Sequence, residues 1–148
     1  MLSKSLVIFT AVGLVSALAL GIYLIDVKST SQLIFVEGNS VSIVTEKFDF
    51  KQGEEITLQV VNSGTVPLVF SDASYGLKIT GLSGTLMYSP ISAQVISELA
   101  PGDEIVFSWD QIKNDGNPVL EGLYKISVNG ADKEGNAVER STTVTIWK

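Results

Sequence analysis

The strongest constraint on this chain is a run of 21 residues, Ser5 to Ile25, that holds no charge and is bounded by Lys4 and Asp26. As a helix rising ~1.5 Å per residue it covers about 31 Å, close to the ~30 Å of bilayer hydrocarbon. Thr10 and Ser16 can bond helix carbonyls, and Tyr23 lies near the exit end, where an amphipathic ring prefers the headgroup level. With Lys4 ahead of the run, the positive-inside rule keeps the N-terminus cytoplasmic and sends the rest out; Lys28 works against this and Asp26 offsets it. The expected organisation is a hydrophobic transmembrane helix and membrane anchor over 1–26, with Leu6 to Ile25 in the bilayer, a short polar stalk over 27–32, and one domain over 33–148.

Three readings of the run compete. The first is a permanent anchor. The second is a signal peptide cut after Ala17-Leu18-Ala19; the anchor is preferred because the apolar run continues through Leu20 to Ile25, past the ~7–15 residues of a signal core. The third is a leader similar to those of archaeal type IV pilins, in which a basic residue, a small residue and a long apolar helix follow one another. Lys4, Ser5 and Leu6 resemble that order, with cleavage between Ser5 and Leu6. Lys4 also reads simply as a topogenic charge.

Beyond the run, composition mainly excludes. Only Lys4 of the 10 basic residues precedes it, leaving 9 basic against 16 acidic residues and a net charge of −7. Such a domain repels nucleic acid and anionic lipid, so no nucleic-acid partner is expected. With no cysteine and no histidine there is no disulfide, no thiolate nucleophile, no histidine-ligated metal and no Ser-His-Asp triad. No enzyme activity and no cofactor are expected.

The remaining chain alternates apolar and polar residues in short runs separated by turns. Ile56, Leu58 and Val60 are expected to face a core with Thr57 and Gln59 outward; Ile105, Phe107 and Trp109 share one face, as do Tyr124, Ile126 and Val128. Val41, Ile43 and Thr45 precede a break near Glu46-Lys47, with Phe48 and Phe50 beyond it. Pro67 belongs at a strand start or an edge, because it cannot donate to a ladder. Ser89 to Glu98 reads as an edge strand or one helical turn, and Asn129 to Asn136 as a hairpin loop. Seven to nine short strands with turns every ~8–12 residues predict an all-β, antiparallel sandwich.

The order Leu99-Ala100-Pro101-Gly102-Asp103, a strand ending Trp109-Asp110, Asp115 to Val119, then Gly122-Leu123-Tyr124 resembles the immunoglobulin-like domain of the BsuPI family of proteinase inhibitors. It is also similar to the immunoglobulin-like segment of flagellar hook-capping proteins. The stretch Gly53 to Leu68 resembles the opening of the same domain. The resemblance implies an immunoglobulin-like antiparallel β-sandwich. It makes Pro101, Gly102, Trp109, Asp110, Gly122 and Tyr124 signatures of that fold, Tyr124 as a tyrosine corner and Trp109 as a core plug. It carries over no reactive-site residue.

Few constellations suggest chemistry. Glu54-Glu55 and Asp103-Glu104 are adjacent carboxylates, which a strand points to opposite faces. Asp110, Asn114, Asp115 and Asn117 crowd one loop around Gly116; an Asx-rich turn is preferred there over a calcium site. Asp132 and Glu134 are a weaker version. Ser71, Ser74, Tyr75 and Lys78 could form a Ser/Lys pair on paper only. Val66 to Phe70 and Thr142 to Trp147 are expected at open sheet edges. Leu33 to Val36 is a candidate donor strand, though pairing within its own domain is preferred. The functional expectation is a non-enzymatic membrane-tethered module making protein contacts at the cell surface, including self-association as a pilin-like or archaellum-type subunit. The alternative is a tethered proteinase-inhibitor-like domain.

Overall fold

Ten strands form among the residues that the computed structural model describes, 15–17 and 33–148. They are β1 (Val41–Thr45), β2 (Asp49–Lys51), β3 (Ile56–Asn62), β4 (Leu68–Phe70), β5 (Lys78–Gly81), β6 (Leu86–Tyr88), β7 (Ser97–Leu99), β8 (Glu104–Trp109), β9 (Gly122–Asp132) and β10 (Ala137–Trp147). One sheet has the order β1-β3-β8. The other runs β2-β10-β9-β4-β7, with β5 pairing both β6 and β9. The chain divides between Ser31 and Gln32 into two units, and all ten strands belong to the second.

Period-two alternation explains the core. Ile56, Leu58 and Val60 from one sheet and Leu68, Ile79, Ile126, Val128 and Val144 from the other are fully buried. Each such aliphatic side chain contributes roughly 1.5–3 kcal/mol on leaving water. Trp109, Phe50 and Phe70 supply the largest buried rings. The unit Gln32–Lys148 is thus all-β among its described residues, with two sheets sharing one core.

The all-antiparallel expectation needs one correction. β1 pairs antiparallel with β3, but after the break at Glu46 to Phe48 the chain crosses to the other sheet, where β2 runs parallel to β10. A strand that changes sheets without reversing meets its new neighbour in whichever direction it was already travelling. The break leaves Phe48 partly exposed while Phe50 is buried.

The expected open edges are also corrected. β4, inside Val66 to Phe70, lies between β9 and β7, with Leu68 opposite both Leu99 and Asp132. Pro67 sits just ahead of it, where no ladder donor is required. Thr145 and Ile146 of β10 have β9 on one side and β2 on the other, while among the described residues Thr142 to Val144 pairs with β9 alone. The covering strands β7 and β2 lie far along the chain from β4 and β10, which local patterning does not reveal. Leu33 to Val36 forms no strand; Val36 N donates to Ser63 O at 2.9 Å. Within Ser89 to Glu98 only Ser97-Glu98 is strand, and β9 runs on to Asp132, shortening the expected hairpin loop.

Among the described residues no helix is long and apolar enough to cross a membrane. The membrane helix expected over Leu6 to Ile25, the stalk over 27–32 and the cleavage positions Lys4, Ser5 and Leu6 lie outside the described residues, save residues 15–17, which are helical.

Candidate functional site

At one end of the molecule the loop after β8 folds back on itself. Trp109 is buried and its indole Nε1 donates to Ile112 O at 3.0 Å, while Asp110 Oδ1 accepts Ile112 N at 3.1 Å. Tyr88 stacks on the Trp109 ring at 6.2 Å and Tyr124 meets its edge at 5.9 Å. Tyr124 Oη donates to Leu120 O at 2.7 Å, across the bend that precedes Gly122. Trp109, Asp110, Gly122 and Tyr124 are therefore brought together. Pro101 and Gly102 stand at the opposite end of β8. There Asp103 N donates to Ala100 O at 3.0 Å, and Gly102, at φ +82°, takes the left-handed position that a Pro-Gly turn requires.

Beside this loop lies an open cleft of about 650 Å³, lined by Glu55, Tyr88, Ser89, Ile91, Ser108, Asp110, Ile112, Lys113 and Asn114. Its polar atoms are largely engaged in holding the loop. Asn114 Oδ1 accepts Ser89 N at 3.2 Å, and Asn114 N donates to Met87 O at 2.9 Å. Asp115 accepts Asn117 N at 2.9 Å and Lys113 Nζ at 3.2 Å; these bonds, the Asn117 amide first, hold its carboxyl below the ordinary Asp value. The Asx-rich segment is thus a set of turns capped by its own side chains. Among the described residues no three acidic side chains gather as a metal site.

The other candidates separate. Glu54 bonds Lys47 Nζ and accepts Lys51 N at 2.9 Å, and its carboxyl is held low by Lys47 first; Glu55 lines the cleft instead. Asp103 and Glu104 are exposed. Ser74 donates its hydroxyl to Asp72, not to Lys78, and that bond is the main cause of the lowered Asp72 carboxyl. Tyr75 packs its ring 5.0 Å from Phe70 and 6.2 Å from Phe107, tying the two sheets together. Asp132 caps the β9–β10 turn through Glu134 N and Asn136 N, both at 2.9 Å.

Three features escape a reading of the sequence. Gln111, in a loop of polar residues, is buried and left-handed at φ +62°. Asn62 is buried, and its Nδ2 donates to Val66 O and Leu99 O, each at 2.8 Å, joining two turns. The segment Ser89 to Ser97 presents Ile91, Val95 and Ile96 to solvent. It closes an uncharged run of 19 residues, Ile79 to Ser97, that also contains most of β5 and all of β6, so the absence of charge does not mark it out.

No family model and no curated protein matches the chain. Among solved structures it is similar to Spo0M, a sporulation control protein from Bacillus subtilis, at 16% identity and a TM-score of 0.42, covering 76% of this chain and 51% of that one. It is similar to PorZ, a bacterial surface component of the type-IX secretion system of Porphyromonas gingivalis, at 15% identity and TM-score 0.38, covering 72% and 11%. The beta-glucosidase of Listeria innocua follows at 10% identity and TM-score 0.34, covering 74% and 16%. The chain spans about half the length of Spo0M and a smaller part of the other two. These likenesses carry no argument about function.

Proposed function

We propose that the chain is a single-pass, membrane-anchored module that carries an immunoglobulin-like β-sandwich on the outer side and works by protein–protein contact rather than catalysis. The observation that carries the contact reading is the surface of Ser89 to Ser97. Ile91 is fully exposed, Ile96 is 76% exposed and Val95 58%. Exposed aliphatic side chains close together in sequence on one loop beside a rigid scaffold are a form a binding surface takes. The uncharged run Ser5 to Ile25 supports the tether, and the Tyr124–Leu120 bond with the two-sheet core supports the immunoglobulin-like assignment.

A second reading, tethered proteinase inhibition, draws on the same segment. An irregular stretch offering a fully exposed Ile91 suits insertion into a protease cleft.

The test is photo-crosslinking from positions 91 and 96 of the full chain in its native membrane fraction. A discrete protein adduct, lost when Ile91, Val95 and Ile96 are replaced by Asp at unchanged thermal stability, supports the contact reading; no adduct sinks it. Stoichiometric inhibition of a protease panel, abolished by Ile91→Asp, selects the second reading. Intact mass tests the leader. Loss of Met1 to Ser5 supports pilin-like processing, an uncut chain supports a permanent anchor, and a cut after Ala19 removes the tether.

A further inference from the structure

We infer that Leu33 to Val36 of one copy adds as a strand to the open edge of β8 in a second copy. The acceptor edge adjoins the cleft that Ser108 lines with Ser89 and Ile91, but the inference does not depend on the reading given to Ser89 to Ser97.

Two features of the chain are each incomplete and fit one another. β8 pairs with β3 alone, so among the described residues its other edge carries no strand. The core is thinly covered there. Phe107 and Ile105 point inward yet are only half-buried, while Leu58 and Val60, directly opposite them on β3, are fully buried. An added strand would cover both side chains and satisfy the unpaired backbone groups.

The second feature is Leu33 to Val36. All four residues are apolar and none lies in a strand; Ile34 is 60% exposed, Phe35 62% and Val36 44%. Four extended residues span about 13 Å, the length of Ile105 to Ser108.

The same copy does not supply this strand to itself. Ser63 makes both of its backbone bonds on the β1 side of β3, donating to Ser40 O at 3.1 Å and accepting from Val36 N at 2.9 Å. β1 and β8 flank β3 on opposite sides, so the run lies across the sheet from the β8 edge.

A net charge of −7 makes two copies repel one another overall, and that repulsion is least where uncharged elements meet, as Leu33 to Val36 and Ile105 to Ser108 would. Donor and acceptor are different surfaces, so two copies either exchange the run reciprocally in a closed dimer or pass it head-to-tail into a ring or a filament.

The absence of cysteine makes the test clean. Full-length chain in nonionic detergent is prepared with single cysteines at position 34 or 35 in one pool and 106 or 108 in another, then mixed and oxidised. The proposal expects mixed disulfide dimers several-fold above either homodimer. It also expects Phe35→Asp to shift sedimentation to the monomer at unchanged Tm, since Phe35 is exposed and outside the core. Absence of mixed dimers, or association that survives Phe35→Asp, overturns it. So does Phe35→Trp fluorescence quenched by brominated lipid in vesicles without mixed dimers, which would assign the run to the bilayer.

Discussion

Gln111 Oε1 accepts the Gly53 amide at 2.8 Å, fastening two loops that lie 58 residues apart. The same side chain donates through Nε2 to Lys51 O and Glu54 O, each at 2.8 Å. One buried amide thus satisfies three backbone groups of the β2–β3 turn, and it does so from a left-handed backbone that glutamine rarely adopts.

Replacing Gln111 with Ala takes this partner from Gly53 N, Glu54 O and Lys51 O, of which Lys51 O keeps its bond from Glu54 N, and keeps the backbone strain. The expected loss is about 2–4 kcal/mol of unfolding free energy. Gln111→Gly removes the same bonds but relieves the strain, so it should cost about 1 kcal/mol less than Gln111→Ala. Urea denaturation of both variants decides; equal losses would mean that the left-handed backbone contributes nothing.

Tyr124→Phe removes one hydroxyl and leaves the ring against Trp109. The bond to Leu120 O is lost, at an expected cost of about 1–1.5 kcal/mol. Thermal unfolding should shift down by several degrees. No shift would show that water replaces the hydroxyl without cost.

A methyl group at position 130 has no room. A Cβ there would sit 2.6 and 2.7 Å from the Phe70 ring and 3.0 Å from Val69 O. Gly130→Ala must displace a buried ring from the core, and should cost about 1–3 kcal/mol or prevent folding. Gly130→Ala combined with Phe70→Leu should recover part of that loss, which chemical denaturation of the pair measures.

Asp132 holds the β9–β10 turn through Asn136 and Glu134, and its carboxyl lies below the ordinary Asp value, chiefly because the Asn136 side chain bonds it. A lowered folded-state pKa means that the group stabilises the turn above the unfolded-state pKa. That contribution is lost as pH falls through the folded-state value. Amide protection at Lys133 to Asn136, measured against the intrinsic exchange rate at each pH, should therefore fall only in acid below the usual carboxylate range. Asp132→Asn should show the faster exchange at neutral pH and no acid transition.

Much of the fold was legible. Ile105, Phe107 and Trp109 share a face because side chains alternate along a strand, and that period is visible without coordinates. The Pro101-Gly102 turn, the break after Thr45 and the corner at Tyr124 rest on local backbone chemistry or on a resemblance built from it. The candidate surfaces were less legible. The edge expected at Val66 to Phe70 is covered at β4 and that at Thr142 to Trp147 is covered over Thr145 to Trp147, while β8 is among the strands that end a sheet. In sequence Ser89 to Glu98 reads as an edge strand or one helical turn, and nothing local marks Ile91, Val95 and Ile96 as a surface.

By itself, then, the amino-acid order determined an all-β domain, the faces of its longer strands, the turns between them, and an uncharged run of bilayer length ahead of them. Those properties depend on residues within a few positions of one another. Only the tertiary structure decided that β2 runs parallel to β10, that β4 is internal, that β8 is left open, and that Gln111 and Asn62 are buried brackets rather than loop polars. The parallel β2, the internal β4 and the Gln111 bracket are each settled by a partner far along the chain: Asp49 with Thr145, Leu68 with Asp132, Gln111 with Gly53. Which long-range pairing wins depends on the free energy of closing the whole core, and no local window of sequence contains that sum.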